Sequence, residues 1–238
     1  MSVRVGGGDL TRFGTAPPAS HLKVFLPAPG QDAPALPAMT PEGLVWPQGA
    51  DRPTVRTYTP RGFDAGTGTL EIQFVLHGEG PASGWADRAR PGDRLAIGGP
   101  GGRFSADLGA PRWWIAADES ALPAVGTLLD ALPASASAEI HIEVAGPADE
   151  IPLAGAAGVA VTWHHRRKPD GWGAELIEAA GSAPIGPGTQ AWIACEAAAM
   201  RQARRRLLER GAPAGSLVTR GYWRLGVADH PDHDHGKD

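Results

Sequence analysis

The spacing of hydrophobic positions changes near residue 110. Before it, apolar and polar residues alternate. In TLEIQFVLH (69–77), Leu70, Ile72, Phe74 and Leu76 fall on one face, and Glu71, Gln73, Val75 and His77 on the other. That period of two predicts a half-buried antiparallel strand. HLKVFL (21–26) alternates in the same way, and RLAIGGP (94–100) reads as a strand ending in a glycine cluster. Between them, QDAPALPAMTPEGLVWPQGADRP has five prolines and no periodicity, the mark of a long surface loop. Residues 1–109 are thus expected to form an antiparallel β-domain, a barrel of the six-stranded type.

Beyond residue 110 short apolar runs alternate with helical patterns. RWWIAA, AEIHIEVA, VAVTWHH and QAWIAC read as strands; ESALPAVGTLLDAL, GWGAELIEAA and EAAAMRQARRRLLERG read as helices, the last closed by Gly211. Strands alternating with helices predict βαβ units and a parallel sheet covered on both faces, an α/β sandwich over 110–228. The remaining DHPDHDHGKD (229–238) is polar and unpatterned. Its clustered histidines invite a metal reading, but a disordered, solvated tail accounts for them better.

Composition narrows the function classes. The chain has 238 residues, 42% of them apolar, enough for two domains of roughly 100 residues each. No apolar run approaches the roughly 20 residues of a membrane span, and MSVRVGGGDL lacks the basic flank and apolar block of a secretory signal. A soluble, cytoplasmic protein is expected, with a monomer as the default. The single Cys195 cannot form an internal disulfide or, alone, build a thiolate metal centre. A formal charge of −4 gives no general attraction to nucleic acid, so an anionic ligand needs a local basic cluster.

Such a cluster occurs in RTYTPR (56–61), where guanidinium groups, hydroxyls and a phenol suit a phosphate-bearing planar ligand. A second comes soon after in HGEGPASGWADRA, where Gly80 and Pro81 set a tight turn before a short helix whose free amides can face phosphate. A third, HHRRKPD (164–170), ends a strand. A nucleotide 2′-phosphate, an acidic ferredoxin and plain solvent all suit it.

Taken in order, RTYTPR, EIQFVLHGEGPASGWADRARPGDRLAIGGPGG, WWIAADESALPAVGTLL, WIACEAAAMRQARRRLLERG and GYWRLG resemble the siderophore-interacting protein family of FAD-dependent ferric-siderophore reductases, within the ferredoxin-reductase-like superfamily. The blocks span residues 21–226. The resemblance implies FAD binding by Arg56, Thr57, Tyr58 and Thr59, with Arg61 as the motif's trailing arginine. In that arrangement Arg56 neutralises phosphate, Tyr58 lies against the flavin and Thr59 donates toward its N5. It also implies that His77, Gly78, Pro81, Ala82, Ser83, Trp85 and Ala86 wrap the ribityl chain and diphosphate. Asp118, Ser120 and Ala121 would stand at the ligand crevice of the parallel sheet. Lys23, Arg103 and Arg224 are the implied basic residues for a ferric siderophore.

Structural roles compete for several of these residues: a strand-end imidazole for His77, a core position for Trp85, and a helix cap for Asp118 and Ser120. Cys195 stands where superfamily members can hold a thiol beside a nicotinamide, although a buried strand-end cysteine is more often inert core filling. The family has an additional strand segment before the part matching SHLKVFLP, leaving open a barrel short of a strand. No GxGxxG follows WWIAA. NAD(P)H as electron donor therefore rests on the resemblance, beside reduced ferredoxin. The expected activity is FAD-dependent reduction of a ferric siderophore, releasing iron(II). The alternatives are a generic NAD(P)H-dependent flavin or ferric-chelate reductase and a non-catalytic binding module.

Overall fold

Alternation in HLKVFL becomes strand β2, for which β1 (Ser2–Val5) comes first in the chain. The computed structural model describes all residues except 79, 103–104, 154–157, 168–170, 232–233 and 237–238. The chain forms two compact units, 1–16 with 20–102, and 17–19 with 103–238.

In the first unit β2 (His21–Leu26) is followed by β3 (Ala38–Thr40), β4 (Gly43–Val45), β5 (Thr54–Tyr58), β6 (Pro60–Asp64), β7 (Thr69–Gln73), helix α1 (Pro81–Arg88) and β8 (Ala96–Gly101). The strands pair antiparallel in the orders β1-β7-β6 and β5-β2-β8, with β3 and β4 as a separate hairpin inside the proline-rich loop. Leu22, Val24 and Leu26 of β2, Leu70 and Ile72 of β7, and Ala82 and Ala86 of α1 share one core. A strand does precede β2: β1 pairs Ser2 with Gln73 through Val5 with Leu70. The strand read as 69–77 ends at Gln73, although the Phe74 amide and carbonyl still exchange 2.8 Å hydrogen bonds with Met1; Phe74 is buried, whereas Leu76 is exposed.

In the second unit the elements are β9 (Arg112–Asp118), α2 (Leu122–Ala131), β10 (Ser137–Val144), β11 (Val159–His165), α3 (Ala174–Ser182), β12 (Thr189–Glu196), α4 (Ala197–Glu209) and β13 (Leu217–Trp223). The strands form one parallel sheet in the order β11-β10-β9-β12-β13. One face packs Trp113, Ile115, Ile140 and Ile142 with Leu128 of α2. The other packs Trp114, Ala116 and Ile193 with Leu176 of α3 and Met200 and Leu207 of α4. Every residue of β12 is buried, as a strand next to the centre of a covered parallel sheet requires.

The sheet reverses direction of growth between β9 and β12, which places the expected ligand crevice at the carboxyl ends of those strands. Within the stretch read as a disordered tail, Asp234 and His235 lie along β13: the Gly221 amide donates to the Asp234 carbonyl at 2.9 Å and Thr219 Oγ1 to the His235 carbonyl at 2.5 Å. Arg201 Nη2 reaches Asp234 Oδ2 at 2.7 Å.

Candidate functional site

Antiparallel register sorts the RTYT residues onto two faces of β5. Leu22 pairs with Tyr58 and Val24 with Arg56, whereas Lys23 pairs with Thr57. Arg56 and Tyr58 therefore share one side, and Thr57 projects to the other, where Lys23 Nζ donates to its Oγ1 at 2.7 Å. Arg56 Nη1 donates to the Val55 carbonyl at 2.7 Å, which fixes the near end of the guanidinium. Thr59 is buried between β5 and β6. The Tyr58 ring lies 4.4 Å from that of Phe74, which lies 6.2 Å from Trp85, an aromatic row on the core edge. Burial pushes the Tyr58 phenol up to about 12 against the pull of Arg56. It stays a neutral hydrogen-bond donor.

Helix α1 packs against β2 and β5, and its start is the second half of the arrangement. Its cap is Gly80, at φ +101, which offers no side-chain acceptor to the first amides, and Pro81 opens the first turn. A Cβ on residue 80 would stand 3.1 Å from His77 Cε1. The left-handed φ and this close contact both favour glycine at position 80. Ser83 Oγ accepts from the His77 amide at 3.1 Å. Ala82, Ser83 and Ala86 are buried and Trp85 is half-buried, so the alanines can serve a ligand only through their backbone. An uncapped helix start, a guanidinium and hydroxyls beside an aromatic row fit the diphosphate and ring system of FAD.

At the sheet's carboxyl end, Asp118 is buried and saturated. Its Oδ1 accepts from the Ser120 amide at 3.0 Å and hydroxyl at 2.5 Å, and Oδ2 from the Glu196 amide at 2.9 Å and Trp223 Nε1 at 2.7 Å. Burial raises its carboxyl to about 6, with the Ser120 and Trp223 donors opposing and Glu119 adding to the rise. Asp118 thus caps the turn before α2 and joins the ends of β9, β12 and β13. Ala121 is enclosed in the core under α2. Arg224 is exposed and borders a cavity of about 300 Å³ with Trp172, Glu196, Gln202 and Leu225. Arg103 lies outside the described residues.

Several residues here escape sequence reading. Arg166 forks onto both Glu119 oxygens, reaches Glu143 Oε1 at 3.4 Å, and sits 3.9 Å over the Trp172 ring. Trp172 meets Trp223 edge to face at 4.7 Å. Glu143 accepts from the Gly173 amide at 2.8 Å, and burial raises its carboxyl above the ordinary range. A glutamate inside the otherwise apolar end of AEIHIEVA is the one local signal for it. Glu196 caps α4 by accepting from the Ala198 and Ala199 amides at 2.7 and 2.9 Å; its place between a strand and EAAAM could have revealed this. Cys195 is buried, and burial, with Asp118, Glu143 and Glu196 nearby, pushes its thiol well above the usual value. It is core filling.

Paired antiparallel sheets ahead of a five-stranded parallel α/β sheet define the ferredoxin-reductase-like class, a fold shared with solved reductases too distant in sequence to carry more than the fold. Residues 1–104 match the siderophore-interacting FAD-binding domain, and residues 110–226 match the siderophore-interacting protein domain. A solved siderophore utilization protein from T. fusca is 33% identical, with a TM-score of 0.81 over 98% of this chain and 89% of that one. A ferric vibriobactin reductase of Vibrio cholerae is 34% identical over 68% of this chain and 60% of its own length. An NADPH-dependent ferric-chelate reductase of Escherichia coli is 39% identical over 55% and 50%. The chain belongs to the siderophore-interacting protein family, and its first unit is an FAD-binding domain. Among the described residues no helix is long and apolar enough to cross a membrane.

Proposed function

We propose that the protein reduces ferric siderophores with FAD as its cofactor, releasing iron(II) in the cytoplasm. One observation carries this reading: Arg56 and Tyr58 on β5 and the uncapped start of α1 belong to one packed unit, the unit that matches an FAD-binding domain. FAD, when bound, accepts two electrons and passes them on one at a time. Two iron(III) ions are therefore reduced for each NAD(P)H oxidised to NAD(P)⁺ and a proton, or one for each electron from reduced ferredoxin.

The side chains bind and position. Arg56 would pair with the diphosphate, with Thr59, His77, Gly78 and Ser83 around it, and the neutral Tyr58 would lie against the rings; Thr57, on the opposite face of β5, holds Lys23 instead. Asp118 and Ser120 hold the strand ends that form the crevice. Lys23 and Arg224 offer positive charge to an oxygen-rich chelate. Hard anionic oxygens bind iron(III) far better than iron(II), so electron transfer alone releases the metal.

Anaerobic titration of the flavin-loaded chain tests the reading. The flavin band should bleach with NADPH, NADH or reduced ferredoxin and return on addition of a ferric siderophore. Bleaching that any ferric chelate reverses equally indicates a generic reductase, and a chain that cannot hold FAD indicates a binding module without turnover. Arg56→Ala should weaken FAD binding by about 1.5–3 kcal/mol, the worth of a charge-assisted hydrogen bond. Undiminished FAD affinity in that variant removes Arg56 from the diphosphate site.

A further inference from the structure

On the sheet face toward α3, the second unit carries a polar line that the proposed chemistry does not use. Glu139 and His141 lie on β10, and His164 lies on the adjacent β11, where residue 141 is in register with Thr162. Glu139 Oε1 is 2.9 Å from His141 Nε2, and His141 Nδ1 is 3.0 Å from His164 Nε2. The two ring centroids are 5.3 Å apart and their planes differ by 22°, so the rings meet edge to edge along that hydrogen bond.

We propose that His141 and His164 form an open two-imidazole site for a divalent first-row transition-metal ion. As an acceptor, Glu139 fixes the proton of neutral His141 on Nε2 and leaves a lone pair on Nδ1, the carboxylate–histidine pairing that orients metal-ligating imidazoles. His164 Nε2 then donates to Nδ1. Moving that one proton to the other nitrogen of His164 turns a hydrogen bond into two lone pairs that face each other, with no net proton release, and turning each ring by roughly 45° aims both at an ion about 2.0–2.1 Å from either nitrogen.

Nitrogens 3.0 Å apart can both reach an ion at about 2.0–2.1 Å, subtending roughly 90°. That angle suits six-coordinate iron(II) or nickel(II), whereas tetrahedral zinc also needs the rings to part by a few tenths of an ångström. Glu175 and Glu178 lie close enough to His164 to act on it electrostatically. Those two carboxylates also lend the site negative potential. A cavity of about 320 Å³ bordered by His164, His165, Arg167 and Glu175 leaves room for water ligands. Among the described residues no three metal-ligating side chains converge. The described residues thus supply two ligands and water the rest, which makes the site exchangeable rather than structural.

Imidazole favours borderline divalent ions over hard iron(III). If the proposed reductase reading holds, the site is suited to take up the iron(II) that the reaction releases. The test does not need that reading. The full chain, stripped with chelator, is titrated with Zn²⁺ by calorimetry and with Fe²⁺ anaerobically, alongside a variant with His230, His233 and His235 all changed to Ala. One ion per chain is expected in both proteins. Affinity should fall by at least about tenfold in Glu139→Gln, the effect of losing an orienting carboxylate, and further in His141→Gln and His164→Gln, with thermal melting confirming that each is folded. Binding untouched in the two histidine variants, or lost with the tail histidines, overturns the proposal. A chain that binds zinc at this pair but reduces nothing keeps the site and loses only its role as acceptor of the product.

Discussion

Trp223→Phe isolates a single hydrogen bond in the second unit. Phenylalanine keeps a ring against Trp172 but removes the Nε1–H that donates to Asp118 Oδ2 at 2.7 Å. Asp118 has its carboxyl raised from 3.8 to about 6, chiefly by burial. The native state therefore holds this proton more tightly than the unfolded chain does. The stability linked to the group is full below the unfolded value and declines as pH rises to about 6, by about 3 kcal/mol for about two units.

The Trp223 donor favours the ionised form, so its loss raises the carboxyl further and costs most where Asp118 is charged. The expected loss is about 1.5–3 kcal/mol near pH 8, where the bond is charge-assisted, and about 0.5–1.5 kcal/mol near pH 5, where the carboxyl is mostly protonated. Urea unfolding followed by tryptophan fluorescence, with the two units fitted as separate transitions, measures both. Any cavity left by the smaller ring adds equally at the two pH values and cancels in the comparison. Equal losses at both would refute the claim that a buried carboxylate depends on this donor.

Two further outcomes follow from the same region. Arg166→Ala should cost about 3–5 kcal/mol, because it strands the buried Glu143 carboxylate and unpairs Glu119; Lys at 166 should recover little, since an ammonium cannot fork across two oxygens. A loss under about 1 kcal/mol by urea unfolding would contradict the buried network. Cys195, with its thiol pushed up by burial, should react with a disulfide reagent only as fast as the second unit unfolds. Fast labelling of the native chain would contradict its core placement.

Local pattern was enough to place much of the fold. The period of two in HLKVFL put Leu22, Val24 and Leu26 inside, and the run QAWIAC gave a strand buried on both faces. The sequence also offered RTYTPR and the glycine turn before α1 as candidate site elements, because each is a short contiguous stretch. It could not show that register would set Thr57 and Lys23 on the side opposite Arg56.

What SVRV, GYW and the strand ends do was decided only by tertiary structure. A four-residue segment such as β1 carries too little pattern to specify a partner, and its strand exists through pairing with β7, some seventy residues away. Asp118 meets Trp223, and His141 meets His164, because parallel strands align residues that the sequence separates. Periodicity reports which face of an element seeks burial, a property of neighbouring residues. Which polar groups then satisfy one another depends on strand order and register, fixed only when the whole sheet is assembled.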